Sequence, residues 1–387
     1  MYKFYIICYF LLCKTTHIYS FFMNTRKSRV RGNTPIGSVT GDAAEIHDSP
    51  LLLVGGLGGS RLLLNNQNIW PPTAYDYFLN YETWKNNIIN NKNVTTLELG
   101  NSESLDLHSV VPFLVSRNYF DEIIKKNNTH AIPYDFRRID DKEYLNSFYT
   151  KLENYIESFN EPIILITHST GGILLHWFLY NQSQEWKDIH IKLVINVNVP
   201  FGGLIITLHD CFKYSIVNFF IGIELLRNLG GFIINMPNPK FIKPILCVNG
   251  DQYDDFFSYF NLTEVEKRYK INKDMIDSFD KSTNVKTCIV YSSDQKTPSC
   301  LSVEELHSKN TLLEHFIGES RKSGYKFRPK LKVIYGYGDG IVPLQSLLVP
   351  KHWIQKNIKY YNIKNHGHSD VLFSKELKDI INENLYP

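Results

Sequence analysis

Three side chains in this sequence could cooperate in nucleophilic chemistry: Ser169, Asp339 and His368. Ser169 stands in Thr167-His-Ser-Thr-Gly171, between the apolar run Pro162–Ile166 and a second one, Ile173–Leu179. A serine hydroxyl is a weak nucleophile until a base takes its proton, and the base works best when a carboxylate orients it. The segment approximates a G-x-S-x-G elbow, a tight strand-to-helix turn that exposes the serine oxygen. Such a turn needs small residues two before and two after the serine, where backbones crowd. Gly171 meets this need and Thr167 meets it only partly. The competing reading of Ser169 is an N-cap of the helix that follows.

Asp339 sits in YGYGDGIVP and His368 in NHGHSDVLF, each just after an apolar run. The order serine, acid, histidine is that of one class of serine hydrolases. In this arrangement His368 takes the Ser169 proton, and Asp339 orients and charge-stabilises the imidazole. Alone, Asp339 reads as a D-G turn residue, and His368 as a cap or surface histidine. Together they match one layout at three points. His366 is a rival base two residues away.

The elements that must carry these residues are short apolar runs, each ending in a glycine-rich or polar turn. They are Leu51–Val54 before GGLGGS, Pro162–Thr167 before HSTGG, Leu193–Val199 before PFGG, Leu331–Tyr335 before GYGDG, and Lys359–Ile363 before KNHGH. Continuous apolar runs suit strands covered on both faces, as in a parallel sheet. Helical patterns such as 144–158 alternate with them, which predicts an α/β fold. In open α/β sheets ligands bind at the carboxyl edge of the strands, so five such turns build one site. Thr170 would supply one backbone amide to an oxyanion, and the Gly55–Ser60 loop a second. That loop lacks the G-K-[ST] ending of a phosphate-binding P-loop.

The flanks carry other information. Phe4–Cys13 is an apolar run after a charged start, too short for the roughly 20 residues of a membrane span. It is expected to be the core of a signal peptide over residues 1–20. Residues 21–45 are basic, with no acid until Asp42, and fit either a transit segment or a disordered basic linker. Lys and Arg total 42 against 39 Asp and Glu, a net charge of +3. Past the N-terminus there is no concentrated basic stripe, so nucleic acid is not an expected partner. No C-x-x-C spacing occurs, so neither zinc nor another metal is expected, and no cofactor motif is found. Cys8 and Cys13 lie in the leader; of the remaining Cys211, Cys247, Cys288 and Cys300, the last two are the nearest pair in sequence for a disulfide. Residues 66–100 are loop-like and aromatic, and residues 206–326 read as an insertion. Its apolar stretch Ser215–Pro239 is interrupted by Glu224 and Arg227, which argues against a membrane span. That stretch fits an amphipathic, partly exposed helix pair or ordinary core helices.

The blocks LLLVGGLGGSRL, AIPYDFRR, ITHSTGGILLHWFL, NVPFGG, YGDGIVP and HGHSDVLF occur in one order. In that order they resemble the lecithin:cholesterol acyltransferase family, which also holds lysosomal phospholipase A2 and phospholipid:diacylglycerol acyltransferases. The resemblance implies an α/β-hydrolase fold with a mostly parallel central sheet, a large cap or lid insertion and a small membrane-binding insertion. The core would span 46–205 and 327–387, the cap 206–326 and the membrane contact 66–100. It implies Ser169, Asp339 and His368 as catalytic residues, the amides of Leu57 and Thr170 as the oxyanion hole, and Asp135 and Arg137 as nearby support. Trp70 and Trp84 would contact lipid. The expected partners are a phospholipid membrane surface and a lipid acyl acceptor. The expected reaction is transfer of an acyl chain to a lipid alcohol or to water, in the secretory or endomembrane route. A non-catalytic lipid-binding homologue of the same fold is the alternative. The sequence departs from the family at Thr167, where a glycine is usual, and at Gly55, where a proline is usual. Residues 66–100 contain no cysteine, so the disulfide that closes the membrane-binding loop in some members cannot form.

Overall fold

The computed structural model describes residues 49–73, 75–76, 79–108, 116–118, 128–211, 222–304, 330–354 and 357–385. The expected signal peptide and basic leader lie outside the described residues, as do parts of the expected insertions.

The centre is a six-stranded sheet. Its strands are β1 (Leu51–Val54), β7 (Thr129–Ala131), β8 (Ile163–His168), β9 (Ile191–Val197), β12 (Thr287–Tyr291) and β15 (Ile358–Asn362). Their spatial order is β15-β12-β9-β8-β1-β7, and every adjacent pair is parallel. Strands β1 and β8 are buried at every residue, as expected of central strands with both faces covered. Their side chains alternate between two cores. Leu52, Val54, Ile163 and Leu165 face the larger one, and Leu51, Leu53, Ile164 and Ile166 the smaller. Leu377, Ile380 and Ile381 of the helix Lys375–Leu385 close the smaller core.

From β1 the chain moves to β7 on one side, then returns to β8 on the other. The gap between β1 and β8 is therefore the topological switch point, where ligands bind in sheets of this kind. The turns GGLGGS and HSTGG end these two strands. The helix before β8, Lys142–Glu157, starts on Asp141, whose side chain accepts from the amides of Glu143 and Tyr144. It buries Leu145, Phe148, Leu152 and Ile156, a spacing that keeps one stripe toward the sheet.

Two expectations need correction. Thr287–Tyr291 fell inside the segment read as an insertion, yet it forms β12, a strand of the central sheet between β9 and β15. Conversely, Leu331–Tyr335 is not in the central sheet. It belongs to β14 (Lys330–Gly338), antiparallel to β13 (Gln295–Glu304). With β10 (Leu246–Val248) and β11 (Asp251–Gln252) these make a separate four-stranded sheet. Ile334, Tyr335 and Tyr337 are exposed there, as an edge strand allows. Three shorter strands form another small sheet: β2 (Leu62–Leu64), β3 (Gln67–Trp70) and β4 (Thr95–Thr96).

The described part of the apolar stretch near 215–239 forms the helices Ile223–Asn228 and Gly230–Ile234. Both pack Leu225, Leu226, Ile233 and Ile234 into the larger core. Among the described residues no helix is long and apolar enough to cross a membrane. The cysteine expectation also changes. Cys288 is buried beside Asn384, whereas Cys300 has its sulfur 3.7 Å from that of Cys247 across adjacent strands.

Candidate active site

Strand β8 ends at His168 and a buried helix begins at Thr170, so Ser169 alone makes the turn. Its backbone has φ 53° and ψ −131°, a conformation that costs a non-glycine residue of order 1–3 kcal/mol. Its side chain makes no capping bond to the helix, which removes the N-cap reading. Instead Ser169 Oγ lies 2.9 Å from His368 Nε2. His368 Nδ1 lies 2.7 Å from Asp339 Oδ2. This chain of bonds fixes the imidazole: Nδ1–H donates to the carboxylate, and Nε2 is free to accept the serine proton.

The glycines after the serine are needed for space. A Cβ on Gly171 would come within 2.3 Å of the Gly55 carbonyl oxygen. A Cβ on Gly172 would meet Val199 at 2.2 Å and Thr167 Oγ1 at 2.9 Å. Gly172 thus leaves room for the threonine that replaces the usual glycine. Thr167 Oγ1 donates to Asn196 Oδ1 at 2.7 Å on the neighbouring strand β9, so the extra hydroxyl is buried but paired.

Asp339 is completely buried. Its Oδ1 accepts from the amides of Ile341, at 2.9 Å, and Val342, at 2.7 Å. These bonds leave Oδ2 aimed at His368. Although β14 lies outside the central sheet, its last residue, Gly338, pairs with Gln295, shortly after the end of β12. The hairpin therefore returns Asp339 to the carboxyl edge of the sheet. His366 turns away: its Nδ1–H donates to the Lys364 carbonyl at 2.9 Å. Of the two rival bases, the structure brings His368 to the serine.

Thr170 is the first residue of its helix, so its amide has no acceptor within the helix. Leu57 lies in the loop after β1, whose Gly55 carbonyl packs against Gly171. The PYDFR block braces this loop. Tyr134 OH donates to the Gly55 carbonyl at 3.1 Å, and Ser60 Oγ accepts from the Tyr134 amide at 3.0 Å. Arg137 grips both oxygens of Asp135 and donates to the carbonyls of Ile88 and Asn91, which ties the helix Tyr81–Asn90 to the core. Asp135 and Arg137 are thus structural support.

Trp70 and Trp84 do not face outward as lipid contacts. They are 6% and 3% exposed. Trp70 Nε1 donates to the Gly58 carbonyl at 2.7 Å and its ring lies against Gly58, so it props the glycine loop from behind. Trp84 Nε1 donates to the Ile69 carbonyl, and its ring packs beside Trp70. An indole can satisfy its N–H on a backbone carbonyl and bury its whole face, and here both do.

Sequence reasoning passed over several buried polar residues at the site. His168 Nε2 and Asn198 Nδ2 both bond the backbone carbonyl of His368. Burial, and the nearby His368, hold the His168 imidazole well below the usual histidine range, so it is neutral. Asn235 Nδ2 donates to Thr170 Oγ1 at 2.9 Å. No local pattern marks these residues, since their partners are far away in the chain. Among the described residues no group of His, Cys, Asp or Glu could hold a metal ion.

Parallel sheet, switch-point site and strained serine turn together define an α/β-hydrolase fold. One chain in the crystal structure of the Tle4-Tli4 complex shares this fold. The match covers 87% of this chain and 99% of that one, with a TM-score of 0.52 and 11% identity. Within the fold, residues 95–214 match the model of the lecithin:cholesterol acyltransferase family. Over 104 residues the chain is 31% identical to a lysosomal phospholipase A and acyltransferase of Bos taurus, covering 26% of this chain and 25% of the relative. Over 103 residues it is 34% identical to a phosphatidylcholine-sterol acyltransferase of Homo sapiens, covering 26% of this chain and 22% of the relative. The chain thus spans about a quarter of the length of the curated relatives it matches. The family match includes Asp135, Arg137 and Ser169, and ends before Asp339 and His368.

Proposed function

We propose that the protein is a serine acyl-ester enzyme that takes an acyl chain from a phospholipid and passes it to a lipid alcohol or to water. The observation that carries this reading is the continuous bond path from Asp339 through His368 to Ser169. The names of the similar proteins support the substrate class. In the proposed reaction Ser169 Oγ attacks the ester carbonyl while His368 Nε2 accepts its proton. The amides of Thr170 and Leu57 stabilise the oxyanion of the tetrahedral intermediate. Collapse expels the lysolipid alkoxide, which takes the proton from His368, and leaves an acyl group on Ser169. His368 then deprotonates the acceptor hydroxyl, and a second tetrahedral intermediate releases the serine.

The choice between hydrolysis and transfer depends on whether the acceptor site excludes water. The proposed setting is a phospholipid surface reached through the secretory or endomembrane route. A non-catalytic lipid-binding homologue is the rival, and the intact triad geometry argues against it. The test is to incubate the chain and Ser169→Ala with labelled phosphatidylcholine, with and without a sterol or diacylglycerol. The reading expects acyl release or transfer by the wild type alone. Equal turnover by both proteins refutes it.

A further inference from the structure

The backbone carbonyl of His368 is held from two sides inside the protein. His168 Nε2 lies 2.9 Å from it and Asn198 Nδ2 lies 3.2 Å from it. A carbonyl oxygen can only accept, so both nitrogens donate, and the proton of neutral His168 sits on Nε2. His168 is 1% exposed and Asn198 is fully buried. Asn198 is itself fixed. Its backbone has φ 49°, its amide donates to the Val290 carbonyl, and its Oδ1 accepts from the Ser292 amide, each at 2.9 Å. The residue therefore joins the ends of β9 and β12 to the loop that carries His368.

His168 is the last residue of β8, directly before Ser169. The nucleophile and one arm of the clamp on its base are thus adjacent on one buried strand. His368 itself lies between β15 and the short 3-10 helix Asp370–Phe373, with no ladder or helix to hold it. The rings of His168 and His368 are 4.8 Å apart between centroids. Were His168 charged, it would oppose the imidazolium that forms on His368 during catalysis. Burial keeps it neutral.

We propose that His168 and Asn198 are positioning residues for the catalytic base: by holding the His368 carbonyl, they set the distance between His368 Nε2 and Ser169 Oγ. The inference rests on the serine-enzyme reading above. Misplacement of a reacting group by about 1 Å can lower a rate by roughly 100-fold.

The test uses the full chain and three variants. His168→Leu removes the donor but keeps bulk, His168→Gln returns an amide nitrogen near the same place, and Asn198→Asp keeps an acceptor for the Ser292 amide but removes the donor. Two quantities are read: kcat and KM on a short-chain p-nitrophenyl ester, and the low-field NMR signal of the His368 Nδ1 proton. His168→Leu and Asn198→Asp should each lower kcat by about 10- to 100-fold with KM little changed, and should weaken that signal. His168→Gln should keep most of kcat and the signal. The proposal is overturned if His168→Leu matches wild type in both readouts. It is equally overturned if His168→Gln loses as much as His168→Leu, which is the mark of a purely structural role. If His168→Leu does not fold, Asn198→Asp and His168→Gln decide between the same outcomes. A wild type without Ser169-dependent turnover refutes the enzymatic reading instead, and the NMR signal then still decides whether the clamp orders His368.

Discussion

Replacing Gly171 by alanine tests the elbow geometry directly. Helix propensity alone favours alanine over glycine by about 0.5–1 kcal/mol, so an unstrained site would be stabilised. Here the new Cβ would lie 2.3 Å from the Gly55 carbonyl oxygen and 2.9 Å from Val54 Cγ1. Ordinary contact begins near 3.4 Å, so the two backbones must separate by about 1 Å. Overpacking of this kind costs about 1–3 kcal/mol, which reverses the sign set by propensity. The segment forced to move is the loop proposed to supply the Leu57 amide. Loss of one oxyanion donor lowers turnover by about 10²–10³-fold. The assay is the second-order rate at which a fluorophosphonate modifies Ser169, alongside urea unfolding. Gly171→Ala should fold with a lower midpoint and react about 100-fold more slowly. If it reacts at the wild-type rate, the close packing of loop on elbow has no role in the chemistry.

Other outcomes follow from the same structure. Asp339→Asn should lower kcat by about 10⁴-fold through the wrong imidazole tautomer, while His366→Ala should leave ester turnover unchanged; a steady-state assay checks both. Trp84→Ala should destabilise the fold by about 3–5 kcal/mol as a core truncation, measured by urea unfolding. By contrast, Trp84→Phe should leave binding to phosphatidylcholine vesicles unchanged, because the ring is buried. His176 is buried, with Nε2–H donating to the Ser278 carbonyl, and burial pushes its pKa down to about 4. Its folded value is below the unfolded one, so the unfolded chain binds the extra proton as pH falls. The neutral buried form is no handicap above about pH 6.5, and stability is lost between there and about pH 4. The loss is on the order of 3 kcal/mol. His176→Gln should flatten that slope in unfolding measured across this pH range.

Much of the site was legible because its chemistry sits at the ends of short apolar strands. Ser169, Asp339 and His368 each follow such a run, and three matches to one order outweigh the bland reading of each. The runs themselves were less informative about place. Leu331–Tyr335 is apolar enough for a central strand, but β14 pairs antiparallel with β13 and leaves Ile334 and Tyr335 exposed. Thr287–Tyr291 belongs to the central sheet because β9 and β15 flank it, and pairing with strands this far away in the chain leaves no local mark. The tryptophans show the same limit. An aromatic-rich loop reads alike whether its rings face lipid or the core, and backbone carbonyls that accept their N–H groups decide for the core. Thr167 looked like a defect in the elbow, and only the placement of Gly172 and Asn196 shows how its hydroxyl is housed.

In the proposed reaction Ser169 carries the acyl group during turnover. Brief incubation with a phosphatidylcholine of one acyl composition, acid quench and peptide mass spectrometry tests it most directly. The expected result is one acyl ester, on Ser169, that is missing in Ser169→Ala. An acyl group found on another residue, or turnover by the wild type that survives in Ser169→Ala, would contradict it.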